Sequence, residues 1–220
     1  MLVLAIDTST PDLVTGLVDT STGKARDRVI PDTRAHNEQL TPTVRSLLAD
    51  AGVTFADLGA VVVGCGPGPF TGLRVGMVSA AAFGDALGVP VHGVCSLDAI
   101  ARRLPAGRRL VATDARRREI YWATYDGDVR TAGPDVVKPA ELVVPHDVDV
   151  VSVPAQLAEQ LPEALRGVEK RDMAPDAASL VAVADLAAAP APLVPLYLRR
   201  PDAKEPKPVP RSAAIPEVEL

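Results

Sequence analysis

The stretch "GCGPGPFTGLRVG", Gly64 to Gly76, carries five glycines and two prolines in thirteen residues, and the fold turns on how it is read. A β-branched run, "AVVVG" (60–64), leads into it, the pattern of a strand buried on both faces. A helix is expected after it, from about Thr71 to Leu87, stopped by "GVP". Strand, glycine turn and helix in that order raise the question of a phosphate-binding loop. A Walker-type loop needs a Lys followed by Ser or Thr, and here Phe70, Thr71 and Gly72 stand instead. Gly64, Gly66 and Gly68 give G-x-G-x-G, which is not the dinucleotide fingerprint, and Pro67 and Pro69 lack the N–H an anion site would use. Two readings stand: a weak anion loop, or a stiff turn whose glycines permit positive φ.

The helix behind the loop has its own pattern. Gly72, Gly76, Ala80 and Gly84 recur every four residues and share one face. Glycine inside a helix costs about 0.5–1 kcal/mol relative to alanine, so the stripe needs a reason. A smooth groove admits close approach by another helix, from this chain or from another protein. Internal packing against the lobe's own sheet or its helix 36–52 explains the stripe equally well.

Outward from this core, "LVLAID" (2–7), "LVTGLVD" (13–19) and "KARDRVI" (24–30) have strand length and suggest an antiparallel meander. Over 36–52 the period becomes helical: Leu40, Val44, Leu47, Leu48 and Ala51 fall on one face, and Gly52 ends it. Pro42 either kinks this helix or occupies its first turn. "VHGV" reads as a strand and "SLDAIARRL" as a short helix. The plan then restarts, with "LVATDARRREIYWATYD" reading as strand, turn, strand. Asp7 and Asp19 are spaced like Asp114 and Asp126, each pair closing two strands, a hint of duplication. "VDVVSV" is a further strand, with helices expected near 155–166 and 176–189. The expected organisation is an α/β fold in two related lobes, 1–104 and 105–199, with a mobile tail over 200–220, since eight of the 21 prolines crowd into 190–216.

Composition narrows the function. The chain has 220 residues, of which 47% are hydrophobic and 3% aromatic, so the core is built from Val, Leu, Ile and Ala. A net charge of −5 repels polyanions on average. The N-terminus has no basic start and Asp7 interrupts its apolar run, so no signal peptide is expected. No apolar run suggests a membrane span. Cys65 and Cys95 sit in no metal or redox spacing, which fits a reducing cytoplasm. There is no G-x-S-x-G elbow, "HNE" (36–38) lacks the P-C-x-x-C a zinc deaminase needs, and His92 with Cys95 is a pair without further ligands. The best polar constellation is Asp7, Thr8 and Ser9: an acid at a strand end with hydroxyls in the turn can coordinate a magnesium-bound phosphate, or can simply satisfy turn backbone. Between Arg102 and Arg118 lies a basic cluster, either a solvated stretch or an anion-facing patch.

Taken together, "AIDTST", "HNEQLTP", "VGCGPGPFTGLRVG", "GVPVHGVCSLDAIA", "TDARRREIYWATY" and "PLYLRRPDAK" resemble the bacterial tRNA threonylcarbamoyladenosine biosynthesis family TsaB, or YeaZ, over about residues 2–204. Cys65, Pro69 and Asn37 depart from its usual residues. The resemblance implies the actin-like, sugar-kinase-like ATPase fold with duplicated lobes, and a role in making N6-threonylcarbamoyladenosine at tRNA position 37. In that pathway the catalyst is a paralogue, TsaD, which holds iron or zinc through a His-x-x-x-His pair. Aligned on "VPVHGVCSLDAI", the two histidine places fall on Ser96 and Ile100, and isoleucine has no lone pair. The resemblance therefore implies a noncatalytic subunit in the cytoplasm, with no cofactor of its own and ATP and magnesium belonging to the complex. It implies docking to TsaD and the ATPase TsaE through Leu40, Val44, Leu47, Gly72, Gly76, Ala80 and Gly84, with tRNA met only through the complex. A homodimer through the same helices is the variant of this reading. A kinase-like ATPase, or a glycoprotease-type metallopeptidase acting alone, is the alternative.

Overall fold

The structure, a computed structural model, describes residues 1–199, so the tail expected over 200–220 lies outside the described residues. Two five-stranded sheets repeat one plan. In the first, β1 (Leu2–Asp7), β2 (Leu13–Asp19), β3 (Lys24–Ile30), β4 (Leu58–Gly64) and β5 (Val91–Val94) run in the order β3-β2-β1-β4-β5. In the second, β6 (Arg108–Asp114), β7 (Ile120–Asp126), β8 (Val129–Val137), β9 (Val150–Ser152) and β10 (Glu169–Arg171) run as β10-β9-β6-β7-β8. In each, the first three strands form an antiparallel meander and the last two join in parallel. This is the two-lobed α/β architecture of the actin-like plan.

Period-two alternation explains the layers. From β1 and β4, Leu4, Ile6, Val61 and Val63 face α1 (His36–Ala51) and α2 (Phe70–Leu87). Their neighbours Val3, Ala5, Ala60 and Val62 face α4 (Ala177–Ala182) on the other side. Burial on both faces is why "AVVVG" has no polar position. α3 (Ser96–Arg102) lies between the lobes: Ala99 joins the first sheet's core, while Leu97, Ile100 and Ala101 pack with Val111, Tyr121 and Ala123 of the second. The chain from β1 to β5 does not complete its lobe alone, because α4, beyond β10 in sequence, returns to cover the first sheet.

Several elements differ from expectation for identifiable reasons. Pro42 sits inside α1 and not in its first turn. The helix expected over 155–166 is two 3-10 turns, Ala155–Gln160 and Glu163–Leu165, each entered from a proline, Pro154 or Pro162. Proline at 162 removes a donor that a continuous helix would need. The helix expected over 176–189 covers only 177–182, with Asp176 capping the Ser179 amide. Strands β8 and β10 were not expected: Gly133 and Pro134 interrupt the β8 ladder at an edge, where proline is tolerated, and β10 is a short charged edge. The acid spacing marks a true topological repeat, but the register differs by one residue: Asp7 lies opposite Val14, and Asp114 opposite Ile120.

Leu180 tests the return of α4 to the first lobe. Leu180→Ala is expected to destabilise by about 2–5 kcal/mol, the range for a buried leucine, read as a lower urea midpoint. A loss under about 0.5 kcal/mol, typical of a surface change, would show that α4 does not dock there.

Candidate functional site

Asp7, Thr8 and Ser9 follow the C-terminal end of β1, beneath the first turn of α2. Asp7 is 0% exposed. The Ser9 amide and hydroxyl donate to Asp7 Oδ1 at 2.8 and 2.6 Å, and the Ser96 hydroxyl donates to Oδ2 at 2.5 Å. Such closeness requires glycine at the end of β4: a Cβ on Gly64 would lie 1.8 Å from Asp7 Oδ2 and 2.6 Å from Ser96 Oγ. Thr8 turns away and donates from its hydroxyl to the Gly72 carbonyl at 2.7 Å. Burial raises the Asp7 pKa above its ordinary value of 3.8, and the bonds from Ser9 and Ser96 and the nearness of His36 only partly offset this.

This arrangement does not fit a magnesium-bound phosphate. A magnesium ligand must be an ionised, accessible carboxylate with a free lone pair toward the ion and its waters. The Asp7 carboxyl is closed off from solvent and accepts hydrogen bonds at both oxygens. The glycine loop matches: residues 64–68 are all buried, and Gly68 is so close to the Ser9 backbone that a Cβ there would be 2.4 Å from its carbonyl oxygen. Of the two readings of the loop, the stiff turn is the one this packing supports. His36, the first residue of α1, is the neighbour that sequence reasoning did not connect with Asp7, and its Nε2 is buried without a hydrogen-bond partner.

The small-residue stripe faces inward, which corrects its assignment to a partner surface. A Cβ on Gly72 would meet the Thr8 carbonyl at 2.5 Å, on Gly76 the Thr8 hydroxyl at 2.3 Å, and on Gly84 the Val91 side chain at 2.2 Å. Ala80 is buried in the same core, as are Leu40, Val44 and Leu47 of α1. These residues let α1 and α2 lie close to their own sheet and offer nothing to another molecule. The large apolar groups left outside on α2 are Phe70, 54% exposed, and Val78, 67% exposed, with the Arg74 guanidinium 4.0 Å above the Phe70 ring.

At the expected metal places, Ile100 is 0% exposed in the core between α3 and the second sheet, and the Ser96 hydroxyl is occupied by Asp7. Among the described residues no group of three His, Cys, Asp or Glu is placed to hold a metal ion. Burial pushes the Cys65 thiol up to about 11 and the Cys95 thiol up to about 12, so neither is a ready nucleophile or ligand. Among the described residues no helix is long and apolar enough to cross a membrane.

The family model for TsaD, tRNA N6-adenosine threonylcarbamoyltransferase, matches residues 27–189. The structure of YeaZ from Pseudomonas aeruginosa is similar with a TM-score of 0.73 and 30% identity, covering 83% of this chain and 89% of that one. The chain belongs to this family, in its TsaB/YeaZ branch. An uncharacterized Mycobacterium bovis protein is 55% identical over 203 residues, 92% of this chain and 93% of its own length. The tRNA threonylcarbamoyladenosine biosynthesis protein TsaB of Escherichia coli is 36% identical over 132 residues, 58% of this chain and 56% of its own length. Within a family named for the transferase, this TsaB/YeaZ chain has buried serine and isoleucine where the resemblance places a histidine pair.

A raised carboxyl pKa means the folded chain holds the Asp7 proton more tightly than the unfolded chain does. Stability therefore falls as pH rises from the unfolded value, about 3.9, through the raised folded value, and the deficit persists above it. Asp7→Asn keeps an acceptor for Ser9 and turns Ser96 into the acceptor of a new amide donor. It is expected to be at least as stable as the parent at pH 7 and to lose that part of the pH dependence. Asp7→Ala leaves buried hydroxyls unpaired and is expected to cost about 1–3 kcal/mol. Urea titrations from pH 4 to 8 check both.

Proposed function

We propose that the chain is a noncatalytic activator in tRNA threonylcarbamoyladenosine biosynthesis, acting in the cytoplasm by pairing with a TsaD-type transferase and the ATPase TsaE. The product is N6-threonylcarbamoyladenosine at position 37 of tRNAs that read codons starting with A. The observation that carries this reading is the pair of metal places: Ile100 lies sealed in the core and the Ser96 hydroxyl is bonded to Asp7. Neither can hold the metal on which the transferase's chemistry depends, so the metal, ATP and magnesium are brought by the partners. Membership of the TsaB/YeaZ branch supports the pathway.

An activator without chemistry acts through contact. The contact face is the solvent side of α2 around Phe70, Arg74 and Val78, together with the neighbouring exposed side of α1. An exposed aromatic, an arginine and a valine on one rigid helix have the makeup of an interface anchor. The same face pairs two copies of the chain when no transferase is present.

Threonylcarbamoyl transfer to unmodified tRNA by TsaD, TsaE and ATP, run with and without this chain, tests the function. Modification is expected only when the chain is present, while the chain alone is inert; modification indifferent to it would overturn the proposal. For the face, Val78→Asp is expected to weaken pairing with TsaD at least tenfold, about 1.4 kcal/mol, at an unchanged melting temperature. Gly76→Leu should instead unfold the lobe, because its side chain would enter the space of Thr8.

A further inference from the structure

The segment after α4 crosses the surface from one lobe to the other. Leu193 packs into the first lobe's core, and the Leu196 amide donates to the Cys65 carbonyl at 2.9 Å. Tyr197 stacks on Phe70 with ring centroids 5.2 Å apart, and its hydroxyl accepts from Arg74 Nε at 3.1 Å. Leu198 reaches the core of the second lobe. Arg199 pairs with Glu119 and donates to the Arg116 carbonyl at 3.1 Å. The Tyr197 and Arg199 Cα atoms are at most about 7 Å apart, and their side chains reach from there to the start of α2 and to the β6–β7 turn.

That edge gathers Arg74, Arg116, Arg117, Arg118 and Arg199 on a chain whose net charge is −5. Asp114 accepts from the Arg116 amide at 2.6 Å, Glu119 is paired with Arg199, and Glu159 and Glu163 line the same hollow as Arg118. Arg116, Arg117 and Arg118 are all exposed and stand at φ of 59°, 54° and 64°. Three successive side-chain-bearing residues in the left-handed region are unfavourable, and glycine or asparagine would hold such a turn with less strain. The turn is closed by its own backbone, the Ala115 amide donating to Glu119 and the Glu119 amide to Arg116. The backbone closes without the guanidinium groups of Arg116 and Arg118, so their use lies outside the turn.

We propose that this edge, the Arg116–Arg118 turn flanked by Arg74 and Arg199, grips the sugar-phosphate backbone of the RNA substrate in the assembled complex. The inference rests on the pairing reading above, and names a contact made by this chain's own residues. A guanidinium fork matches phosphate oxygens, and several on a fixed turn suit a backbone of repeated negative charge without reading its sequence. The edge begins at Arg74, which is also part of the face proposed for the transferase, so RNA and partner meet the chain side by side. Alone, the chain's negative charge keeps such binding weak.

The test uses the complex of full-length chain with TsaD and unmodified tRNA, its affinity measured across salt concentrations. The double variant Arg116→Gln with Arg118→Gln is expected to pair normally on a sizing column and to bind tRNA roughly tenfold more weakly near 0.1 M salt. The slope of log affinity against log salt should shrink by about one for each phosphate no longer gripped. If the double variant loses its melting transition, the single variant Arg118→Gln, whose side chain takes no part in the backbone closure of the turn, gives the same test. Normal pairing with unchanged affinity and slope would overturn this proposal alone. Failure of the parent chain to pair with TsaD would overturn the pairing reading and this one with it.

Discussion

The carboxyl group of Asp7, buried where β1 ends, fixes how the rest of the first lobe can be arranged. Its two oxygens take hydrogen bonds from Ser9 and Ser96, so the β1 turn and the start of α3 are tied to one point. That closeness is possible only because Gly64 ends β4 without a side chain. The turn held in this way carries Thr8, which occupies the space kept open by Gly72 and Gly76 and so sets how closely α2 lies on the sheet. Because α3 also packs on the second sheet through Leu97 and Ile100, the same knot ties the two lobes together.

The proposed noncatalytic role rests on this geometry. Here the acid at the end of the first strand is an internal strut, bonded to Ser9 and Ser96. Ser96 makes the exchange concrete. It stands where the resemblance places a metal-binding histidine, and its hydroxyl stabilises Asp7 instead. Ser96 thus closes the corner beside Asp7, and this supports the proposed reading in which the chain acts by surface contact. Phe70 and Val78 are exposed on α2, and Arg116 and Arg118 on the β6–β7 turn.

Much of the fold was legible in local sequence. The unbroken apolar runs "LVLAI" and "AVVVG" mark strands covered on both faces, and Gly52 and Gly88 mark helix ends through their left-handed conformation. The matched acids pointed to a duplicated topology, but the one-residue difference in register had no local signal. Edges were hard to see, because β8 and β10 bury little and so carry little pattern. The candidate site was legible only in part. Asp7, Thr8 and Ser9 were recognisable as a constellation, while the bond from Ser96 joins residues 89 apart and depends on the whole lobe. A four-residue glycine repeat defines a face of α2 but does not say what fills the groove. Thr8, 64 residues before Gly72, fills it there, and Val91 just beyond the helix covers Gly84.

The most direct test of this account is a carbon-13 NMR titration of the Asp7 carboxyl in the isolated chain, with and without magnesium and ATP. The account predicts a pKa above the ordinary 3.8 and a titration curve that magnesium and ATP leave unchanged. A carboxyl that titrates at or below that value, or whose resonance moves when magnesium and ATP are added, would contradict it and restore Asp7 as an ion-binding group.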